Sequence, residues 1–211
     1  MLTASAKSES TFTPIPEGTY LAVCSTLIDL GDEYNEKWDN HSRKVLIGWE
    51  LPDETYSVDG EERRRFITKT YTLSLGKKSN LRADLAAWRG RDLTEEELKA
   101  FDLRNIVGTS CYINIIHRQS KTGDKVYANI SSIMALPRGV PKGELSGYAT
   151  VFDLDKDPIE KIDELPDWIA ERIKSSETYM DKISKQVTED IQEKAPEITE
   201  LTDDLDSELP F

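Results

Sequence analysis

Apolar and polar residues alternate with a period of two in several short segments before Met134, most clearly over Lys44 to Leu51. The repeat lengthens to three or four around Leu81–Trp88 and again beyond Pro166. Successive side chains of a strand point to opposite faces, whereas positions three and four apart share a face of a helix, so the two rhythms mark the elements. After the turn cluster Pro14, Pro16-Glu17-Gly18, the segment Thr19 to Ile28 reads as a strand rich in β-branched and apolar residues. Gly31 to Arg43 is polar and reads as a connection. Lys44 to Leu51 resumes as a strand with Val45, Ile47, Trp49 and Leu51 on one face, and Pro52-Asp53 ends it. A linking stretch through Asp59-Gly60 and Arg63-Arg64-Arg65 leads to a third strand, Phe66 to Leu75, dense in Thr and aromatics.

Leu81, Leu85 and Trp88 then repeat at helical spacing. Ser79 or Asn80 is placed to accept from the free N–H groups of the first turn, and Gly90 to stop the helix. Thr94-Glu95-Glu96-Glu97 is a capping box that predicts a second short helix ending near Phe101. Asn105 to Arg118 and Lys125 to Met134 read as two strands joined by a hairpin loop at Ser120–Asp124. The predicted order is β-β-β-α-β-β. The expected fold class is therefore mainly β, a five-stranded OB-like barrel with helix between strands 3 and 4 and an acidic C-terminal arm, part helical and part disordered.

Pro137, Gly139, Pro141 and Gly143 mark the end of that barrel. Beyond them Ile169, Ile173, Ser176, Met180, Ile183, Val187 and Ile191 form a single stripe along a helix that starts at about Pro166, and a stripe this narrow needs a partner surface. From Ala195-Pro196 onward no period holds. The expected organisation is a flexible start over 1–10, a barrel over 11–138, a linker over 139–165, an amphipathic helix over 166–194 and a disordered acidic tail over 195–211.

Charge changes this picture. The formal net charge is −13, which taken as an average argues against a nucleic-acid partner, because phosphate binding draws on Lys and Arg. Yet Met1 to Lys142 holds 20 basic and 20 acidic residues, and Gly143 to Phe211 holds 7 and 20. Within the first part, Arg63 to Lys142 carries 16 basic and 7 acidic residues. A basic segment lies beneath the acidic average.

Single-strand binding needs aromatic faces for bases and cations for the backbone. Alternation in the fourth strand sets Cys111, Ile113, Ile115 and His117 against Tyr112, Asn114, Ile116 and Arg118, the second set being the solvent face. The fifth divides into Val126, Ala128 and Ile130 against Tyr127, Asn129 and Ser131, and the third into Phe66, Thr68 and Thr70 against Lys69 and Tyr71. Tyr112, Tyr127, Tyr71, Lys69 and Arg118 are thus expected on one concave surface. Trp49 is in phase with Val45 and Ile47, which favours burial, while its place near a strand end would let it stack on a base. Arg63, Arg64, Arg65, Lys77, Lys78, Lys121 and Lys125 fall in loops or strand ends, suited equally to solvent and to phosphate.

Other chemistries find little support. Asp153-Leu154-Asp155-Lys156-Asp157 with Glu164 imitates a calcium loop, but Pro158 stands where its turn needs Gly. His41, His117, Cys24 and Cys111 lack any zinc spacing, and both cysteines read as small core residues of a reducing compartment. No phosphate-cradling Gly-rich loop or nucleophile elbow occurs. No enzyme, metal or cofactor is expected. Met1 to Ser10 lacks the apolar run of a signal peptide and no later stretch is apolar enough to span a bilayer, so a cytoplasmic protein without membrane contact is expected.

The last residues, Asp203-Asp204-Leu205-Asp206-Ser207-Glu208-Leu209-Pro210-Phe211, resemble the acidic tip of bacterial single-stranded-DNA-binding proteins. Tips ending in Phe also occur in phage replication proteins of this class, which Tyr112–Arg118 and Tyr127–Ile130 resemble as well. The resemblance implies that Leu209, Pro210 and Phe211 dock replication and recombination proteins, the terminal Phe entering an apolar pocket. Asp203, Asp204, Asp206 and Glu208 would then steer toward a basic surface. The expected function is binding of single-stranded DNA with little sequence preference during phage or bacterial replication, recombination and repair, with self-association left open. The alternative is a non-enzymatic protein-interaction factor or nucleic-acid mimic of a phage or mobile element.

Overall fold

The computed structural model describes residues 13–37, 39–58, 60–120 and 122–194. Five strands, β1 (Gly18–Asn35), β2 (Asn40–Val58), β3 (Glu61–Thr72), β4 (Ser110–Gln119) and β5 (Val126–Met134), form one strongly curled antiparallel sheet in the order β3-β2-β1-β4-β5. Cα atoms of β3 and β5 come within 8 Å of each other, and α1 (Asn80–Arg89) packs against both, so the helix between the third and fourth strands fills the seam of a half-barrel. Its start and stop follow the capping residues. The Ser79 side chain accepts from the Arg82 N–H, and Gly90 takes the left-handed conformation, φ 68°, that lets its N–H close the last turn. The capping box opens α2 (Glu95–Lys99). The stretch from Asn105 is not strand from its start: a 3-10 turn over Leu103–Ile106, capped by Asp102, precedes β4.

The barrel interior is built on the alternation of β2. Val45, Ile47, Trp49 and Leu51 all point inward and are buried with Cys24, Ile67, Cys111 and Ile113. The Trp49 ring meets Trp88 of α1 at a centroid distance of 5.7 Å, and the Trp88 indole donates to the Ser110 carbonyl at 3.1 Å, fixing the helix to the start of β4.

The hairpins are longer than the periodicity indicates. Gly31–Asn35 pairs with Asn40–Lys44, so the polar stretch read as a connection forms the two arms of a hairpin. β2 continues beyond Pro52-Asp53 by a register shift between Leu51 and Thr55, and its end pairs with Glu61–Arg64. Both extensions are composed mostly of polar residues, which leaves no apolar period to detect.

A second apolar cluster lies on the opposite face of the sheet. Ile28, Leu30 and Leu46 project outward and are covered by Phe152, Leu154, Ile162, Leu165, Ile169 and Ile173. The region read as a linker thus contains a strand, β6 (Thr150–Phe152), which pairs in parallel with Thr26–Ile28 of β1, and a 3-10 turn over Ile159–Glu164. The apolar stripe beyond Pro166 forms two helices, α3 (Asp167–Lys174) and α4 (Glu177–Lys194), separated where the Ser176 side chain accepts from the Tyr179 N–H. Ile169, Ile173 and Ser176 are buried against the barrel, while Met180 and Val187 further along are exposed. The junction is tight. Gly31 has φ 77°, and a Cβ there would lie 2.7 Å from the Ser176 Cβ. The Thr178 hydroxyl accepts from the Asp32 N–H at 3.0 Å and donates to its carboxylate at 2.7 Å, and Arg172 pairs with Glu33 at 2.6 Å.

No helix among the described residues is long and apolar enough to cross a membrane. Truncation after Lys142 bares Ile28, Leu30 and Leu46 and removes six large buried side chains, each contributing about 1.5–3 kcal/mol by burial. Such a chain is expected to lose its cooperative thermal transition in calorimetry. Truncation after Lys194 is expected to leave the midpoint in place.

Candidate nucleic-acid interface

On β4 the outward residues are Tyr112, Asn114, Ile116 and Arg118, as the alternation predicts. Opposite them on β5 stand Met134, Ser132, Asn129 and Tyr127. The register slips by one residue at Ser131, whose hydroxyl bonds Asn114, so Ile130 and Ile133 both point inward. Arg118 and Tyr127 face each other near the hairpin end, the tyrosine 49% exposed, while Tyr112 is half-buried between Leu21 of β1 and Met134.

Tyr71 and Lys69 do not join this surface. Their phase on β3 is that of Ile67, toward the barrel. Asp84 of α1 makes that burial tolerable. It accepts from the Tyr71 hydroxyl at 2.8 Å and from the Lys69 ammonium at 2.7 Å. Burial, and then the Asp84 carboxylate, push the Tyr71 phenol well above its usual range. Trp49 is also removed from the candidate surface, being wholly buried. Its indole N–H has no hydrogen-bond acceptor among the described residues and faces the Cys111 thiol.

The loop cations divide in two. Arg63 pairs with Glu61 at 3.1 Å, and Arg64 bonds the Glu144 carbonyl and lies 3.5 Å from Glu50. Arg65 bonds the Thr13 carbonyl at 2.9 Å and lies over the Tyr56 ring. These three are engaged within the chain. Lys77, Lys78, Arg118 and Lys125 are exposed and make no ion pair among the described residues. Lys121 and the whole tip, Asp203, Asp204, Asp206, Glu208, Leu209, Pro210 and Phe211, lie outside the described residues.

Several exposed rings escaped the sequence analysis. Phe66 is 45% exposed on the outer face of β3, with its ring against Gly48. Tyr148 is fully exposed on the segment that precedes β6, and Trp168 is 47% exposed at the start of α3. The signals were Gly48, a glycine between Ile47 and Trp49 inside a strand, which marks a close approach, and Trp168, one position off the Ile169–Ile173 stripe. A cleft of about 490 Å³ opens where β3 meets α1, lined by Lys44, Lys69, Thr70, Thr72, Lys78 and Ser79 among others.

Carboxylate oxygens of Asp29, Asp153 and Asp155 lie within 4.8 Å of one another. Cations of the chain already meet that charge: Arg43 bonds Asp29 and Asp155, and Arg104 and Lys156 bond Asp153. The two cysteines are buried in the barrel, where burial pushes the Cys24 thiol up to about 12 and raises Cys111 likewise.

No protein-family model matches the sequence, and no curated protein matches it.

Tyr71→Phe is expected to lower stability by about 1 kcal/mol, read as a small drop in Tm, with no change in affinity for an oligonucleotide. Both native thiols are expected to resist a chromogenic disulfide reagent until the chain is unfolded, after which both react.

Proposed function

We propose that the half-barrel binds single-stranded DNA with little sequence preference and that the acidic tip docks replication and recombination proteins, in the cytoplasm of a bacterium or of a phage-infected host. The observation that carries the reading is the coincidence, on an OB-like sheet, of exposed aromatic rings with exposed cations that make no ion pair among the described residues. Exposed rings stack on bases of any sequence and cations follow the backbone, which is what sequence-tolerant single-strand binding needs.

Charge also supports a divided role. The acidic excess beyond Lys142 falls in two parts. Residues 143–194 carry 7 basic and 14 acidic residues, and 195–211 carry six acidic residues and none that is basic. Only the second part follows the helices described, and it is the part able to compete with a strand for the cations of the barrel.

A second reading, a protein-interaction factor without nucleic-acid affinity, is favoured by one feature: Met180 and Val187 of α4 are exposed along the helix. An electrophoretic shift with single strands separates the two.

Fluorescent oligo-dT is expected to bind the full chain, and duplex to bind far more weakly. With Lys77, Lys78, Arg118 and Lys125 neutralising four phosphates, affinity drops about 50-fold between 50 and 200 mM salt. Truncation after Lys194 tightens binding. Deletion of Phe211 leaves DNA affinity intact and abolishes capture of replication proteins. Equal affinity for duplex, or none for any strand, overturns the reading.

A further inference from the structure

Phe66, Thr68, Thr70 and Thr72 alternate with the inward residues of β3 and project from its outer face. Gly48, opposite Thr68 on β2, leaves the room that Phe66 occupies: a Cβ there would come within 2.8 Å of the ring's Cε2 and closer still to Cζ. Its φ lies outside the left-handed region, so the glycine serves space and not conformation. One side of the Phe66 ring is therefore held against the β2 backbone while nearly half of the residue stays open to solvent. At the far end of the row the Lys44 ammonium donates to the Thr72 hydroxyl at 2.8 Å, and the cleft that Lys44, Thr70, Thr72 and Lys78 line continues from there.

The helix that follows β6 borders this row. Arg172 of α3 donates to the Thr70 hydroxyl at 3.1 Å, and Trp168 lies one turn earlier on the same side of α3. Trp168 is 47% exposed beside Ile169 and Ala170, which are buried. Of the acidic groups nearby, Glu33 is engaged by Arg172, and Glu50 by the Ser146 N–H and Arg64, while Asp167 and Glu171 of α3 are exposed. What the face offers a ligand is two open rings, a line of hydroxyls and the cations Lys44 and Lys78, with Arg172 held at its border by Glu33 and Thr70.

We infer that the single strand runs along the outer face of β3, from Phe66 to the cleft at the start of α1, with bases against Phe66 and Trp168 and phosphates toward Lys44 and Lys78. This rests on the single-strand reading above and relocates its centre from the β4–β5 face. Six residue steps of strand span about 20 Å, which suits the lower end of the site sizes of such folds, about four nucleotides. The chain's C-terminal half thereby supplies one wall of the binding surface.

The test uses full-length protein and fluorescein-labelled oligo-dT. Phe66→Ala and Trp168→Ala are each expected to weaken binding by about 5- to 150-fold, the loss of one stacked base. Lys78→Glu, at an exposed and unpaired side chain, weakens it without disturbing the fold, and Phe66→Leu retains packing on Gly48 while removing the aromatic face. Trp49 and Trp88 are buried, so in a Trp38→Phe background the quenching of tryptophan emission by unlabelled oligo-dT is expected to vanish with Trp168→Phe. Wild-type affinity in all of these variants, with binding lost instead in Tyr127→Ala and Arg118→Glu, overturns the β3 path and leaves single-strand binding standing. A wild-type chain that retains no strand overturns both.

Discussion

Within Val23–Asn35, the part of β1 that pairs with β2, two residues have no partner of their own. Ser25 lies between the pairs Cys24–Trp49 and Thr26–Gly48, and Leu30 between Asp29–Val45 and Gly31–Lys44. Each bulge shifts the alternation by one, so that Cys24 and Leu27 face the barrel interior while Ile28 and Leu30 face the other way. An apolar run that is continuous in sequence thereby serves two cores. The barrel is one. The other exists only because β6 and α3 arrive from far along the chain to cover what the bulges turn outward. The apolar contact between the barrel and the segment from β6 to α3 depends on that change of phase.

Elements with one wet face and one dry face could be recognised from sequence, and those lacking the contrast could not. The four inward residues of β2, the cap and stop of α1 and the box before α2 all lie where periodicity and capping chemistry place them. The hairpin arms Gly31–Asn35 and Asn40–Lys44 are composed mostly of polar residues and carry no such mark. For the stripe from Ile169, periodicity identified helix, but it could not show that the first turns have the barrel as their partner and the later ones do not. β3 misled for a local reason. Lys69 and Tyr71 look like solvent-facing residues until Asp84, more than ten positions away, is seen to satisfy both polar ends at the mouth of the barrel. The threonines that do face outward are equally at home in a strand interior.

Charge shows the same dependence on placement. Arg63, Arg64 and Arg65 are the most conspicuous basic run, yet carboxylates, carbonyls and a tyrosine ring of the same chain occupy all three. Ion pairs this exposed contribute little to stability, but they decide which cations remain for a partner. Lys78 and Arg118, outside that run, make no ion pair among the described residues. The acidic residues of the C-terminal half divide in the same manner: Asp153 and Asp155 bind the module to Arg104 and Arg43.

The parallel pairing of Thr150–Phe152 with Thr26–Ile28 also constrains the order in which the molecule is made. The β1–β2 hairpin leaves the ribosome more than a hundred positions before the residues that cover its outward side. Until then Ile28, Leu30 and Leu46 form an apolar patch on a sheet that is otherwise ready to fold. Contacts of such long separation form slowly, and a nascent chain paused before β6 exposes a surface prone to association with its neighbours. The segment from β6 to α3 is therefore the closing step for this fold, and the outward side of the barrel is protected from association only once that segment has been made.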